Sequence, residues 1–290
     1  MKIASVRIGS NIQPAVEVNG SLYAWADVVR DCPATSVQDA LPALCDGGLA
    51  IELDGAEPLP AEARLAAPLP TPRRDLICLG KNYAEHATEF NTAMAQDDAI
   101  PTSPIVFTKA TTTVCGPGEV VTADPALTQE IDYEGELAVV IGKPAREVEP
   151  HDALQHVAGY TILNDLTARD LQRKHQQWFV GKSLDGFAPM GPFLVTRDEI
   201  GAPDALELST YVDGELRQSA PTSKMIFDVP FFISFLSKVL TLQVGDILAT
   251  GTPKGVGVGF DPPKFLGDGS VVEVEISKIG RLKNTIRFAT

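Results

Sequence analysis

The sequence predicts an α+β fold in which strands outnumber helices, built on a large mixed sheet or β-roll. Short apolar segments bounded by turn residues recur along most of the 290 residues, whereas segments with helical periodicity are few and are not regularly interleaved with the strands. The hydrophobic fraction of 44% and the charged fraction of 21% are those of an ordinary soluble globular protein. We therefore expect one large domain, or a large domain with a small appendage.

Residues 1–70 are predicted to form a small N-terminal α+β domain. The dipeptide at 19–20, Asn-Gly between two apolar runs, is a strong signal for a tight hairpin. Residues 36–46 favour a short helix that ends at the glycines 47–48, and Pro42 is expected to break its middle. Alternate prolines at 68–72 are typical of a stiff extended linker. We therefore place a domain boundary there and assign residues 71–290 to the main domain.

The main domain is predicted to alternate strands with turns and a few helices. We expect single strands at 75–80, 104–108, 131–141 and 157–165, and paired strands at 270–288. We expect a hairpin around the Asp-Gly turn at 213–214, and helices at 167–177 and 230–240.

Charge and composition exclude several classes of partner. The net charge of -14 argues against nucleic acid, which would need a basic surface. No apolar run approaches 18 residues, so we expect neither a signal peptide nor a membrane span. The four cysteines form no Cys-x-x-Cys pair and match no zinc spacing, which indicates reduced thiols in a cytoplasmic protein.

Acidic residues alternate along one predicted strand. Asp132, Glu134 and Glu136 stand two apart, so on a single strand their side chains would share one face. Like charges next to a dry interior are costly unless a cation lies among them, and Mg²⁺, Mn²⁺ or Ca²⁺ prefers carboxylate oxygens. The alternative is an edge strand with a solvated acidic face. Asp165, at the end of another apolar strand, is either a helix cap or a further metal ligand.

A histidine and a lysine are the other candidates for chemistry. His86 and Glu89 stand three apart, so on a helix they share a face, where the histidine could act as a general base oriented by the carboxylate. Lys182 lies between aromatic and small residues and could stabilise an enolate or oxyanion near a metal. The alternatives are a surface helix and a solvated lysine.

The glycine-rich run GTPKGVGVG (251–259) lacks the spacing of a phosphate-binding loop, and FDPPK follows it in place of a helix. Its backbone N–H groups and the Thr252 hydroxyl could still contact a carboxylate or an oxyanion. No Gly-x-Ser-x-Gly motif occurs, so metal-assisted chemistry is the favoured enzyme class.

Taken together and in this order, the motifs resemble the fumarylacetoacetate hydrolase family. The matching segments span residues 78 to about 285: GKNYAEHATEF, DYEGELAVVIG, GYTILNDLTARDLQ, QWFVGKSLDGFAPMGP and GDILATGTPKGVG. The resemblance implies the family's mixed β-roll or sandwich as the catalytic domain at 71–290. The first 70 residues resemble the variable N-terminal domain of some bacterial members.

The resemblance also implies a role for each candidate residue and a homodimer with two active sites. Asp132 matches a motif position that is not a ligand. The implied metal is Mg²⁺ or Mn²⁺, with Ca²⁺ as a further possibility. The implied metal ligands are Glu134, Glu136 and Asp165; the implied catalytic residues are His86, Glu89 and Lys182; the implied substrate-binding residues are Gln172 and Thr252.

The activity implied by the resemblance is hydrolysis of a C–C bond in a 2,4-dioxo acid of the acylpyruvate or fumarylpyruvate type, through a pyruvate enolate. The substrate would be a small 2-oxo or 2,4-dioxo acid. Two alternatives use the same enolate chemistry: decarboxylation of oxaloacetate, and isomerisation of a 2-hydroxydienoate or 2-oxoenoate. A remote alternative is a metabolite-binding protein without activity. The segment 91–104 is predicted to be a mobile lid.

Overall fold

The structure, a computed structural model, describes residues 1–47, 49–94 and 100–289. Its strands are β1 Lys2–Ile8, β2 Asn11–Val18, β3 Ser21–Ala24, β4 Arg64–Ala66, β5 Leu76–Gly80, β6 Ile105–Lys109, β7 Val114–Cys115, β8 Val120–Ala123, β9 Ile131–Asp132, β10 Gly135–Ile141, β11 Val157–Asn164, β12 Thr167–Ala168, β13 Ala188–Thr196, β14 Glu207–Val212, β15 Glu215–Pro221, β16 Ile247–Ala249, β17 Val271–Ile276 and β18 Gly280–Phe288. Its α-helices are α1 Trp25–Val28, α2 Val37–Asp46, α3 Ala84–Ala93, α4 Arg169–Lys174, α5 Phe179–Lys182, α6 Arg197–Ile200 and α7 Val229–Val239. Short 3₁₀ turns lie at Thr111–Thr113, Pro150–His156, Thr222–Lys224 and Gly257–Gly259.

Within the described residues the strands form three sheets. The large sheet has eleven strands, in the order β3-β2-β1-β13-β11-β10-β16-β5-β6, with β4 beside β1 and β7 beside β13. A second sheet has the order β15-β14-β17-β18-β8, and β9 pairs with β12 in a small ribbon. Parallel and antiparallel pairs both occur in the two larger sheets. The predicted strand-rich mixed fold is confirmed.

The central strands β10 and β11 are buried along their whole length, because both faces of the large sheet are covered. Successive side chains of a strand point to opposite faces. Leu137 and Val139 therefore belong to the core shared with the second sheet and α7, whereas Ala138 and Val140 belong to the core under α2. Coverage on both sides places the ends of these strands deep inside the protein, where the candidate site lies.

The N-terminal strands continue the large sheet. Strand β1 pairs with β13, with Lys2 opposite Val195, and α2 packs on β11. A Cβ at Gly142 would lie 2.3 Å from the Sγ of Cys45 on α2, so the glycine permits this close approach. Pro68, one of the prolines predicted to form an extended linker, is buried, and its carbonyl accepts a hydrogen bond from Ser5 Oγ of β1 at 2.8 Å. The division into two domains stays a prediction.

Two predicted helices are wrong in detail. The helix at 37–46 continues through Pro42, because the hydrogen bond lost at one proline is offset by the Ser36 capping box and by the buried face of the helix. The predicted helix at 167–177 is shorter, since Thr167–Ala168 pairs with Ile131–Asp132 and only Arg169–Lys174 is helical.

The remaining predicted elements are present, except that the single strand expected at 131–141 is interrupted at Tyr133 and Glu134 and forms β9 and β10. Both hairpins have left-handed turn residues, with φ of 52° and 85° at Asn19 and Gly20 and of 51° and 81° at Asp213 and Gly214. All four cysteines are free thiols. No helix in the described residues is long and apolar enough to cross a membrane. Of the predicted lid, residues 95–99 lie outside the described part of the chain.

Candidate active site

Three buried carboxylates meet where β10 and β11 lie side by side. Antiparallel pairing sets Glu136 opposite Leu163, so Glu134 before the strand and Asp165 after its neighbour come together. One oxygen from each of the three carboxylates lies within 4.8 Å of the others. Glu134, Glu136 and Asp165 are 5%, 1% and 0% exposed, which rules out the alternative of a solvated acidic face.

The expectation that Asp132 shares one strand face with the two glutamates is wrong. The chain leaves strand geometry at Tyr133 and Glu134, so Asp132 ends a separate strand, β9. Its carboxylate accepts hydrogen bonds from Arg169 Nε at 2.8 Å and from the backbone N–H groups of Gly257 and Val258 at 2.6 and 3.0 Å. Asp132 therefore anchors the glycine-rich segment and lies outside the carboxylate cluster.

Three buried cations surround the carboxylates. Lys182 Nζ donates to Glu134 Oε2 at 2.8 Å and to Asp165 Oδ2 at 2.7 Å. Lys109 Nζ donates to Asp165 Oδ1 at 2.6 Å, and Arg169 Nη2 donates to Glu134 Oε1 at 2.7 Å. The alternative of a solvated loop lysine at 182 is thereby excluded, since this side chain is 2% exposed.

The sequence patterns did not identify Lys109 and Arg169 as residues of the site. Only their positions could have indicated a role in the site: Lys109 ends an apolar strand, and Arg169 lies inside the TARD motif close to Asp165. A charged residue fully buried at the end of an apolar strand needs a partner of opposite sign. Neither residue belongs to a periodic pattern, so nothing in the sequence pointed to that partner.

The electrostatics of the cluster fit a divalent cation. Burial alone would raise the pKa of Glu134, but Lys182 and Arg169 outweigh burial and lower it to about 2. Burial raises the pKa of Glu136 well above its usual range, and the charges of Asp165 and Glu134 raise it further. Lys182 keeps a raised pKa despite burial, because Asp165 and Glu134 favour its charged form. A hard cation would offset the repulsion at Glu136, and carboxylate oxygens are its preferred ligands.

His86 and Glu89 lie on one face of α3, as predicted. Nδ1 of His86 is 3.4 Å from Oε2 of Glu89, and the histidine is 3% exposed, so the alternative of a solvated surface helix does not hold for it. Gly255 N–H donates to both carboxylate oxygens of Glu89, at 3.0 and 3.1 Å. Glu89 is therefore fixed from outside its own helix, and it in turn can orient the imidazole.

The glycine-rich segment 251–259 holds carboxylates of the protein. The N–H group of Gly251 donates to Glu136 at 2.7 Å, and that of Gly255 donates to Glu89. The N–H groups of Gly257 and Val258 donate to Asp132. Glycine is required for this packing. A Cβ at Gly259 would lie 2.3 Å from Oε1 of Glu89, and Gly255 has a φ of +101°. The segment therefore links the carboxylate cluster to the histidine.

The predicted substrate-binding residues are both buried. Gln172 accepts a hydrogen bond from Arg169 Nη1 at 3.0 Å through its side-chain oxygen. Thr252 Oγ1 donates to the carbonyl of Gly135 at 2.9 Å and accepts from Gln218 Nε2 at 2.7 Å. Both line the same cavity as Glu134 and Glu136.

This cavity is small and has an aromatic wall. Its volume is about 20 Å³, room for roughly one water molecule. The Trp178 ring lies between those of Phe90 and Phe107, with centroid separations of 5.8 and 5.3 Å. A Cβ at Gly80 would lie 2.4 Å from Cζ3 of Trp178, so the missing side chain makes room for the indole. The cavity further contains His86, Lys182 and Lys81.

The chain is similar in sequence to known proteins. Residues 75–287 match the family model described as fumarylacetoacetate (FAA) hydrolase C-terminal. Oxaloacetate tautomerase YisK of Bacillus subtilis is 52% identical over 226 residues, which is 78% of this chain and 74% of that protein.

Two solved structures extend the comparison over the whole chain. Fumarylacetoacetate hydrolase (EaFAH) from Exiguobacterium antarcticum is 42% identical, with a TM-score of 0.88 and 100% of both chains covered. The 2-hydroxyhepta-2,4-diene-1,7-dioate isomerase from Mycobacterium marinum is 31% identical, with a TM-score of 0.77 and 99% of this chain and 98% of that chain covered. This chain belongs to the fumarylacetoacetate hydrolase family of enzymes.

Proposed function

We propose that this protein is a divalent-metal-dependent enzyme that moves a proton between carbon and oxygen of a small 2-oxo acid, with oxaloacetate as the first candidate substrate. The observation that carries the proposal is the shared cavity. His86, Lys182 and the glutamates of the carboxylate cluster line one space, so a candidate base, a cation and the proposed metal ligands face the same cavity. The 52% identity to a protein named oxaloacetate tautomerase supports the same choice.

Glu134, Glu136 and Asp165 would hold the metal, since they are the buried carboxylates whose oxygens approach each other. Bound there, Mg²⁺ or Mn²⁺ would supply Lewis acidity that lowers the energy of an enolate. The residues around it fit that chemistry: Lys182 stays protonated beside two of the carboxylates, and its positive charge favours negative charge developing on a nearby oxygen.

His86 is the candidate for moving the proton. With Nδ1 facing Glu89, the other ring nitrogen, Nε2, can take a proton from C3 of the keto form or return it to C3 of the enol form. In ketonisation the enol O–H proton is lost and C3 gains a proton, so the reaction is balanced without any other reactant. Glu89 acts as a positioning residue, and Thr252 and Gln172 would contact the substrate from the cavity wall.

A second candidate is hydrolysis of the C–C bond of a 2,4-dioxo acid. In this reaction His86 would take a proton from water, which adds to C4, and cleavage between C3 and C4 would release pyruvate and a carboxylic acid. The oriented pair of His86 and Glu89 favours this candidate, because a water-activating base needs a fixed ring. The likeness to the structure named fumarylacetoacetate hydrolase supports it. Decarboxylation of oxaloacetate would use the same enolate without the water.

One set of assays separates these functions. Protein stripped with a chelator and reloaded with Mg²⁺ or Mn²⁺ is given the enol form of oxaloacetate, and separately acetylpyruvate and fumarylpyruvate. We expect rapid loss of enol absorbance without pyruvate release, and no activity in stripped protein. Pyruvate release from a 2,4-dioxo acid at a higher kcat/KM would favour hydrolysis, and pyruvate plus CO₂ from oxaloacetate would favour decarboxylation. Binding of oxalate with no turnover of any acid would support the non-catalytic alternative.

Two variants test the proposed roles of Glu136 and His86. Glu136→Ala should lose both metal binding and activity, because it removes one of three proposed ligands. His86→Asn should lose proton transfer, by roughly 10²- to 10⁴-fold, and should keep its affinity for the metal. Equal activity in His86→Asn and wild type would contradict the proposed role of the histidine.

A further inference from the structure

We propose that Tyr133 is a positioning residue for the candidate base His86, and that its hydroxyl acts through Gly255 and Glu89. This inference rests on the proposed function and adds to it a residue that fixes the base from a distance. Tyr133 is not among the described residues that line the cavity. Its effect on the reaction therefore has to pass through the residues that it contacts.

Tyr133 ties the carboxylate cluster to the glycine-rich segment 251–259. Its side chain is fully buried, and its hydroxyl donates to the carbonyl of Gly255 at 2.8 Å, across 122 residues of sequence. The residue before it, Asp132, accepts from the N–H group of Gly257, and the residue after it is the proposed metal ligand Glu134. The part of the chain that supplies a proposed ligand thus also fixes the glycine-rich segment.

Gly255 needs such a contact to hold its N–H group in one direction. Its φ is +101°, a conformation that glycine adopts readily and that other residues avoid. Because glycine has no side chain to restrict its backbone, the surrounding contacts decide where its N–H group points. One of these contacts is the Tyr133 hydroxyl on its carbonyl. The other is the backbone of β15, where the carbonyl of Arg217 occupies the place that a Cβ of Gly255 would take.

The N–H group of Gly255 controls the carboxylate that faces the histidine. It donates to both oxygens of Glu89, at 3.0 and 3.1 Å, and so fixes the position of the whole group. Oε2 of Glu89 lies 3.4 Å from Nδ1 of His86, which is longer than a typical hydrogen bond. A small displacement of Glu89 would therefore break this contact, and with it the preference for a proton on Nδ1 that leaves Nε2 free to act as the base.

The chain offers a matched control for loss of the hydroxyl. Tyr160 belongs to the same hydrophobic core cluster as Tyr133 and is also fully buried. Its hydroxyl has no hydrogen-bond partner among the described residues. Tyr160→Phe therefore removes the same group from the same core without removing a contact to the glycine-rich segment.

The first test is kinetic and uses the Mn²⁺-loaded protein with the enol form of oxaloacetate. In Tyr133→Phe we expect kcat to fall roughly 5- to 50-fold, because a misplaced base loses part of the roughly 10²- to 10⁴-fold that a positioned base contributes. KM and the Kd for Mn²⁺ should stay within about twofold, and Tyr160→Phe should match wild type. Tyr133→Met also lacks the hydroxyl and replaces Tyr133→Phe if that variant does not fold.

The second test asks whether Tyr133 acts through Glu89. In a Glu89→Ala background the route from Gly255 to the histidine no longer exists, so adding Tyr133→Phe should change kcat by less than about twofold. A further fall as large as the one in the wild-type background would show that Tyr133 acts by another route, and would overturn the inference.

The third test measures the histidine itself and does not depend on activity. The protein has four histidines, and the ¹⁵N NMR signals of His86 are those missing in His86→Asn. In wild type we expect the shifts of one tautomer, with the proton on Nδ1. In Tyr133→Phe the Nδ1 and Nε2 shifts should move towards each other as the two tautomers mix, whereas Tyr160→Phe should leave them unchanged.

The outcomes separate the two proposals. Unchanged ¹⁵N shifts of His86 in Tyr133→Phe overturn the inference whatever the activity, and an active wild type then leaves the proposed function standing. Equal effects of Tyr133→Phe and Tyr160→Phe also overturn it, since any buried hydroxyl would then explain them. A wild type that enolises no 2-oxo acid overturns the proposed function, and the ¹⁵N shifts alone then decide whether Tyr133 orients His86.

Discussion

At the scale of single residues, the buried carboxylates of the site differ in the set of donors that holds them. Glu134 is paired with two cations, Lys182 and Arg169. Asp132 accepts from Arg169 and from backbone N–H groups, and Glu136 accepts from the backbone of Gly251. The backbone donors to Asp132 belong to Gly257 and Val258, and its carboxylate is not part of the Glu134, Glu136 and Asp165 cluster, so Asp132 is a structural anchor.

Asp132→Asn should destabilise the fold. The amide would place an NH₂ group where Arg169 or the N–H groups of Gly257 and Val258 now donate, leaving buried donors without an acceptor. We expect a loss of about 2–4 kcal/mol in the free energy of unfolding, measured by urea denaturation. The control is Asp46→Asn, whose partner Lys143 lies at the surface; it should cost less than about 1 kcal/mol. Equal losses in the two variants would contradict the anchoring role.

In metal-free protein, the titration of Glu136 should make the free energy of unfolding fall as the pH rises. Because burial, and then the charges of Asp165 and Glu134, raise its pKa, the folded state keeps the proton to a higher pH than the unfolded chain does. The unfolded pKa is about 4.3, so this group lowers the free energy of unfolding progressively as the pH rises above that value. Glu136→Gln removes the titration and should be more stable than wild type at pH 8, and equally stable near pH 4.

The measurement is urea denaturation at several pH values after chelator treatment. Adding saturating Mg²⁺ or Mn²⁺ at pH 8 should stabilise wild type and leave Glu136→Gln nearly unchanged, because the ionised carboxylate is a proposed ligand. A stability difference that stays constant from pH 4 to pH 8 would show that the carboxyl group does not titrate in this way.

At the scale of elements, the glycine-rich segment 251–259 is the connection between the histidine and the carboxylates. It lies far along the chain from β9, β10 and α3, and its N–H groups reach carboxylates on all three. Side chains at these glycines would occupy the space of the carboxylates they hold. The segment thus acts as a rigid backbone template, which is why glycines recur along it.

Gly259→Ala should impair proton transfer by His86 and leave metal binding intact. The new Cβ would lie 2.3 Å from Oε1 of Glu89, so this carboxylate must move away from the position in which it orients His86. We expect kcat to fall roughly 10- to 100-fold while the Kd for Mn²⁺ is unchanged, as measured by kinetics and calorimetry. Gly267→Ala is the control, because a Cβ there meets nothing within 4 Å. Weaker metal binding in Gly259→Ala would mean that the damage spreads beyond Glu89.

The same elements show what the sequence could and could not predict. The hairpins, α7 and the pairing of His86 with Glu89 follow from local patterns, and the structure contains them. The partners of Lys109 and Arg169 could not be predicted, because they lie 56 and 37 residues away and depend on strand register. The roles of the site residues were inferred from their chemistry and spacing and from the family resemblance, and they stay predictions until variants are measured.

At the scale of the whole molecule, the N-terminal part and the main part share one sheet and one core. Strand β1 adds to β13, and Leu41 and Leu44 of α2 share a cluster with Ala138 and Leu163 of the central strands. Removing the N-terminal part would expose one face of β10, which carries Glu136, and of β11, which leads to Asp165. Stability of the site therefore depends on residues that never approach it.

We expect the whole chain to unfold in one transition in spite of the predicted domain boundary. Trp25 is buried in the N-terminal part, so in a Trp178→Phe variant its fluorescence reports on that part, whereas far-UV circular dichroism reports on all strands. The two urea curves should coincide. Gly142→Ala, which forces a Cβ to within 2.3 Å of Cys45 Sγ between the two parts, should shift both curves together by about 1–3 kcal/mol. Loss of Trp25 fluorescence at lower urea than the dichroism would instead show that residues 1–70 unfold as a separate domain.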